Sequence, residues 1–252
     1  MKVFAVISHT HWDREWYMSL EGMRVRLVDL MDRCLETLNK YPEYIFHLDA
    51  QTIVLEDYLE IRPHKRDEIR QRVQEGRLLI GPWYVQNDFY LTSGESTVRN
   101  LLSGIALAEQ FGDSTMVAYA PDQFGNISQL PQIFNQFGMD TFIFGRGLAK
   151  MVKKEDGSRE RVRMAPEFIW EGADGSKMLA IHMSYWYNNA QRFSEDIDKA
   201  VRLAELCEEQ FEGWAVTPYL LLMNGVDHLE AQDNLLPILE QVQQRLAEGK
   251  VI

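Results

Sequence analysis

The segment His9-Thr10-His11-Trp12-Asp13 places two imidazoles and a carboxylate within five residues. It follows a short apolar run, Lys2–Ser8, that reads as a β-strand. In extended backbone, residues two apart point the same way, so His9, His11 and Asp13 can converge on one point. Nitrogen and oxygen donors of this kind suit Zn2+. Histidines that only hydrogen-bond backbone are the alternative. Two or three donors do not complete a metal site, so others have to arrive from other strands. Asp122 is the leading candidate. It lies in Ala118-Tyr119-Ala120-Pro121-Asp122-Gln123-Phe124-Gly125, where Pro121 fixes the backbone before it and Phe124 and Gly125 shape a tight loop after it. That arrangement suits a rigidly aimed carboxylate, and equally an ordinary strand-to-helix turn.

The elements that must carry these residues alternate. Apolar, β-rich runs are expected as strands at Lys2–Ser8, Tyr44–Leu48, Leu78–Pro82, Met116–Ala120, Thr141–Gly145, Met178–Met183 and Tyr219–Met223. Amphipathic stretches between them are expected as helices over Glu21–Asn39, Ile53–Glu75 (broken at Pro63), Glu95–Phe111, Gln129–Phe137, Ser194–Glu212 and Asn234–Ala247. The charged stretch Lys150–Met164 interrupts the alternation and reads as a loop or hairpin excursion. Asp174-Gly175 reads as a tight turn into the sixth strand. Strands alternating with helices imply an α/β fold. The expectation is one domain over residues 1–252, with a mostly parallel seven-stranded sheet or a distorted (β/α)7 barrel and surrounding helices. Lys250-Val251-Ile252 looks like the start of a further strand, so the chain is expected to be a fragment of a longer multidomain enzyme.

Ligands in such folds bind beyond the carboxyl ends of the strands. In order, those ends carry His9, His11 and Asp13; Asp49; Trp83, Tyr84, Asn87 and Asp88; Asp122; Arg146; His182, Tyr185, Trp186 and Tyr187; and Asn224, Asp227 and His228. Singly, an Asp after a strand is most often a turn former. A whole rim of His, Asp, Arg and aromatics describes a polar, metal-assisted site.

A net charge of −12 argues against a nucleic-acid or anionic-membrane surface, which needs a basic patch. No run approaches the roughly 20 apolar residues that span a bilayer. Two cysteines without paired spacing, Cys34 and Cys207, are expected as free thiols in a reducing, cytoplasmic compartment.

These motifs resemble, in order along the whole chain, glycoside hydrolase family 38, the retaining class II α-mannosidases, with the bacterial branch closest. His9-to-Trp16, HTHWDREW, is similar to that family's opening zinc motif. The resemblance makes His11 and Asp13 metal ligands, makes Trp16 a wall of the mannose subsite and leaves His9 in support. APDQFGN resembles the nucleophile segment, which makes Asp122 both a ligand and the attacking carboxylate, with Phe124 in the subsite. FGRG implies Arg146 as an active-site residue, and HMSYWYNN implies Tyr185 or Tyr187. LLMNGVDH implies Asp227 as the acid/base. The family's fourth protein ligand to the single Zn2+ is a His from beyond this α/β domain, so the isolated chain is expected to bind metal weakly and to be a poor enzyme.

The function implied is zinc-dependent retaining hydrolysis of α-mannosides through a covalent mannosyl-enzyme. Asp122 would attack the anomeric carbon, and Asp227 would protonate the leaving oxygen and then activate water. The metal's implied use is to hold vicinal sugar hydroxyls rather than to make hydroxide. Expected partners are a mannoside or mannose-containing oligosaccharide and C-terminal domains of the same polypeptide; a homo-oligomer is compatible with the sequence. Two other readings are a metal-dependent carbohydrate deacetylase on a similar barrel and a non-catalytic sugar-binding domain. The intact Asp122 and Asp227 favour a glycosidase.

Overall fold

The computed structural model describes residues 1–148, 151–161 and 164–252. Its strands are β1 (Lys2–Ser8), β2 (Phe46–His47), β3 (Leu78–Leu79), β4 (Ala118–Ala120), β5 (Thr141–Phe144), β6 (Met151–Lys153), β7 (Arg159–Arg161), β8 (Glu167–Glu171), β9 (Lys177–His182), β10 (Tyr219–Asn224) and β11 (Lys250–Val251). Its helices are α1 (Leu20–Lys40), α2 (Ile53–Ile61), α3 (Arg66–Gln74), α4 (Gly94–Glu109), α5 (Leu130–Gln136), α6 (Ile197–Phe211) and α7 (Leu235–Arg245), with a 3-10 turn at Pro63–Lys65 between α2 and α3.

Local sequence accounts for the helix starts. The Ser93 hydroxyl accepts from the Ser96 N–H to open α4, and the Asp196 carboxylate accepts from the N–H groups of Asp198 and Lys199 to open α6. Each satisfies donors that a first turn leaves unpaired. α1 buries Met23, Leu27, Leu30, Met31, Cys34 and Leu38, a stripe at helical spacing.

The seven expected strands are present, and β1–β10, β1–β11, β2–β3, β4–β5 and β5–β9 pair in parallel. The expected single seven-stranded sheet is not what they build. They form a three-stranded sheet in the order β10-β1-β11, a two-stranded pair β2-β3, and a four-stranded sheet β4-β5-β9-β8 in which β8 runs antiparallel. Among the described residues, β1 and β2 meet through one bridge, His9 with His47. The ladders break because β2 and β3 are short. Asp49 and Ala50 take left-handed backbone (φ 48 and 56) straight after β2, and Pro82 beyond β3 has no N–H to give to a neighbour. The charged excursion folds as the β6–β7 hairpin; Ala149, Lys150, Val162 and Arg163 lie outside the described residues. Asp174-Gly175 turns β8 into β9 as expected.

Two apolar clusters fix the strand positions. One joins Phe4, Leu220 and Leu222 to α1, α2, α6 and α7. The other joins Phe142, Phe144 and Ala180 to Leu130, Phe134 and Trp83. Each fully buried Phe contributes about 1.5–3 kcal/mol relative to exposure. The Trp83 indole N–H also donates to the Tyr119 carbonyl at 2.8 Å, tying the end of β3 to β4.

Two glycines let strand ends approach. A Cβ on Gly145, after β5, would lie 2.0 Å from the Pro121 carbonyl oxygen, and one on Gly225, after β10, 2.0 Å from that of His9. These contacts bring the residues leaving β4 and β1, Asp122 and His11, alongside their neighbours.

Candidate active site

The carboxyl ends of β1, β3, β4, β5, β9 and β10 open into one cavity of about 670 Å3. It is lined by His11, Asp13, Trp16, Tyr17, Gln86, Asp88, Asp122, Gln123, Phe124, Arg146, Trp186, Tyr187 and Asp227. Strands from separate ladders thus deliver one acidic cluster to one place.

His11 is buried at the back. Its backbone bridges Asp227: the His11 N–H donates to the Val226 carbonyl at 3.2 Å, and the His228 N–H donates to the His11 carbonyl at 2.8 Å. Its Nδ1 lies 3.0 Å from Asp49 Oδ2, and its Nε2 lies 3.7 Å from Asp13 Oδ1. Burial opposes a charged imidazole, but the Asp49 carboxylate, with Asp13 and Asp122 adding to it, outweighs burial and pushes His11 up to about 9. Asp13 feels the same balance reversed. Burial disfavours its charge, yet His228 and His11 hold its carboxyl below the usual range. The loop that carries both is braced by Arg14, whose Nε and Nη2 donate to the two oxygens of Asp57 at 2.7 and 2.9 Å. Such paired charge-assisted bonds fix geometry as well as add energy.

Asp122 is half-buried and faces Arg146. Arg146 donates to Asp122 Oδ1 from Nε at 2.9 Å and from Nη2 at 2.6 Å, and from Nε to the Asp122 carbonyl at 2.7 Å. The guanidinium lies over the Trp186 ring at 4.8 Å, a cation–π contact that helps hold it. Of the three residues expected from spacing to converge, His11 and Asp13 do so, whereas His9 turns its Nε2 to the Tyr187 carbonyl; Asp122, the candidate from another strand, has its carboxylate on the adjacent Arg146. Among the described residues, no three His, Cys, Asp or Glu side chains stand together as a metal-holding group. The donor chemistry still suits zinc: an imidazole nitrogen and a carboxylate 3.7 Å apart can share an ion with bonds near ~2 Å, and Asp122 lines the same cavity.

Tyr187 contacts Asp227 and feels the charge of Asp122. It is 4% exposed and donates its hydroxyl to Asp227 Oδ1 at 2.9 Å. Burial, then Asp122, then Asp227 push that hydroxyl far above the usual phenol range, so it remains a donor. His9 stands behind it, with Nε2 2.7 Å from the Tyr187 carbonyl, and burial lowers its basicity. His9 thus supports the wall, as the resemblance implied. Tyr185 points elsewhere. Its hydroxyl donates to the Gln210 carbonyl, its ring packs on Phe211, and it lines a separate apolar cavity of about 370 Å3 beside Ile181 and Leu221.

Trp16 and Phe124, 70% and 44% exposed, form open aromatic walls. Asp88 Oδ1 accepts from the Phe124 N–H at 3.4 Å, which steadies the loop after Asp122. Sequence reasoning did not single out Tyr17, Gln86 or Gln123 as lining residues, although each adjoins a motif that it quoted. It noticed Asp49 and His228 at strand ends but assigned them no role. His228 sits beneath Asp13, its Nε2 3.2 Å from Asp13 Oδ2.

A rim of carboxylates, one guanidinium, a buried imidazole and exposed aromatics thus collects on the strand-end face of an α/β fold. The family model for the glycosyl hydrolases family 38 N-terminal domain matches residues 1–251, and the chain belongs to that family. It is 44% identical over 93% of its length to a putative mannosylglycerate hydrolase of Halalkalibacterium halodurans, and 30% identical over 71% to alpha-mannosidase G of Dictyostelium discoideum, covering 16% of that protein. The crystal structure of an alpha-mannosidase from Enterococcus faecalis superposes over the whole chain with a TM-score of 0.90 at 35% identity. The chain spans about a quarter or less of these relatives' length: 26% of the first and 28% of the crystallised enzyme.

Proposed function

We propose that residues 1–252 are the N-terminal catalytic domain of a zinc-dependent retaining α-mannosidase that works with further domains of the same polypeptide. The observation that carries this is the shared cavity into which Asp122 and Asp227 project from the ends of β4 and β10, both close enough to Tyr187 to act on its hydroxyl. Retaining glycosidases need two such carboxyl groups in different roles. We also read the separate ladders as arcs of one distorted seven-stranded barrel, because their carboxyl ends meet at this cavity.

In this reading Asp122 attacks the anomeric carbon as the aglycone oxygen leaves. Asp227, hydrogen-bonded by Tyr187, gives that oxygen its proton and later takes one from water. Arg146 aims the Asp122 carboxylate, and Trp16 and Phe124 wall the sugar. His11, Asp13 and Asp122 would hold one Zn2+, with a further ligand from outside this chain. When bound, the ion supplies a point of attachment for vicinal sugar hydroxyls and positive charge in an acidic cavity. Two buried free cysteines, Cys34 and Cys207, fit the expected reducing, cytoplasmic setting.

The test is mass spectrometry of the full-length protein after exposure to an activated mannoside. Asp227→Asn should accumulate a mannosyl adduct on Asp122, and azide should speed its breakdown. Asp122→Asn should lose nearly all turnover. An adduct elsewhere, or near-normal activity of Asp122→Asn, overturns the assignment. A second reading concerns the aglycone. The identity to a putative mannosylglycerate hydrolase favours a small anionic aglycone over an oligosaccharide. Comparing kcat/KM for mannosylglycerate with that for an α-linked mannobiose decides between them.

A further inference from the structure

We propose that Asp49 is a positioning residue that locks the His11 ring, so that Nδ1 keeps its proton inside the protein and Nε2 faces the cavity. The proposal deepens, and rests on, the reading of that cavity as a glycosidase site. Asp49 is 0% exposed. Its Oδ2 collects three donors: the His11 ring through Nδ1 at 3.0 Å, the Trp12 backbone N–H at 2.8 Å and Gln51 Nε2 at 2.8 Å. A carboxylate can only accept here, so the proton between it and the ring belongs to His11 Nδ1. That holds whether the ring is neutral or charged. In the neutral ring it leaves the Nε2 lone pair, 3.7 Å from Asp13 Oδ1, as the face offered to a ligand. A carboxylate behind a ligating histidine fixes ring orientation and basicity in this way.

The backbone around Asp49 is built for the same purpose. Asp49 has φ 48, a left-handed conformation that Asp tolerates better than most side chains. Its carbonyl accepts from Gln86 Nε2 at 2.6 Å. Gln51 Oε1 accepts from the Gln86 N–H at 3.0 Å, and Gln51 Nε2 also donates to the Trp12 carbonyl at 2.8 Å. The end of β2 therefore clamps the loops after β1 and β3, and Gln86 lines the cavity itself. The other oxygen, Asp49 Oδ1, is buried without a hydrogen-bond partner among the described residues, an incomplete satisfaction that offsets part of what the His11 contact adds to folding.

The experiment uses the 252-residue chain with 15N-histidine; its six histidines give a tractable spectrum. His11 should show a proton on Nδ1 that is protected from solvent exchange. Asp49→Ala should lose that protection, whereas Asp49→Asn, whose amide oxygen can take the Oδ2 place, should keep it. Zinc titrated into the metal-stripped chain should bind roughly 10–100-fold more weakly in Asp49→Ala, with Asp49→Asn between. In full-length enzyme kcat should fall more than KM rises. An unprotonated or freely exchanging Nδ1 in the unmodified chain overturns the proposal, and that measurement stands even if Asp49→Ala fails to fold. Unchanged His11 protection in a folded Asp49→Ala overturns it too. A protected Nδ1 proton in a protein that cleaves no mannoside would instead remove the mannosidase reading and leave the role of Asp49 intact.

Discussion

Replacing Tyr187 with Phe removes one oxygen and little else. The ring stays in its wall, 4.9 Å from Trp186 and 5.3 Å from His11, and the backbone carbonyl still meets His9 Nε2. What disappears is the 2.9 Å hydrogen bond to Asp227 Oδ1, together with the hydroxyl's contact with the Trp186 side chain. In the resting protein the half-buried Asp227 can turn to water for replacement, so the stability loss should be about 1 kcal/mol. For a chain of this size that corresponds to a fall in Tm of roughly 2 °C. The kinetic cost should be larger. A hydrogen bond to a charged group is worth about 1.5–3 kcal/mol when water is excluded, which converts to roughly 10–150-fold in rate. The assay is kcat and KM of full-length Tyr187→Phe on an activated mannoside, alongside its melting curve. Turnover within a factor of two of the unmodified enzyme would refute the argument. So would a melting loss large enough to account for the missing activity.

The His11–Asp49 pair predicts a pH dependence of stability in the metal-free chain. The folded pKa is raised from 6.5 to about 9. Its contribution is therefore fully present below about 6.5 and lost as pH rises through about 9, for a total on the order of 3 kcal/mol; urea unfolding of the unmodified chain and of His11→Gln at pH 6 and pH 10 should show that fall only in the former. Gly225→Ala should destabilise by about 1–3 kcal/mol, because its Cβ would sit 2.0 Å from the His9 carbonyl oxygen; an unchanged urea midpoint contradicts this. Chelation should abolish turnover of the full-length protein and zinc should restore it. By calorimetry the 252-residue chain should bind zinc more weakly than the complete polypeptide, and equal affinity would contradict the missing-ligand reading.

Much of the architecture was legible because it is periodic. α1 and α6 carry apolar stripes at helical spacing, and β1 and β10 are long apolar runs bounded by polar residues. Where the sequence misled, the cause was local. Tyr44–Leu48 and Leu78–Pro82 read as full strands, but left-handed residues at Asp49 and Ala50 and the missing donor of Pro82 cut the ladders to two residues each. The site divided similarly. Residues at strand ends were visible from spacing alone, and Tyr187 was one of two alternatives that the resemblance implied; simple alternation would point Tyr185 and Tyr187 the same way, and the left-handed backbone of Trp186 (φ 77) between them is not legible in the sequence. Nothing in the sequence showed that Arg146 holds Asp122, since that contact spans two loops. Asp49 looked like any Asp after a strand; its role appears only when three donors from different loops meet at one oxygen.

The cavity joins five acidic or imidazole side chains, His11, Asp13, Asp88, Asp122 and Asp227, to one guanidinium. Like charges gathered in a partly dry cavity repel, so this arrangement needs compensation. Each group has some: Asp13 rests on His228, Asp88 on the Phe124 N–H, Asp122 on Arg146, Asp227 on the Tyr187 hydroxyl and His11 on Asp49. These partners have different characters. His228 and Asp49 are buried and held by backbone contacts, whereas Arg146 is exposed on the loop after β5. Arg146 is therefore the compensation most easily moved by a ligand, and Asp122 the carboxylate most readily redirected. A group proposed both to hold a cation and to attack a sugar has to be able to change partners. On the proposed function, the rigid histidine side of the cavity would supply fixed geometry where a ligand is to be held, and the Asp122–Arg146 side a replaceable contact where a bond is to form.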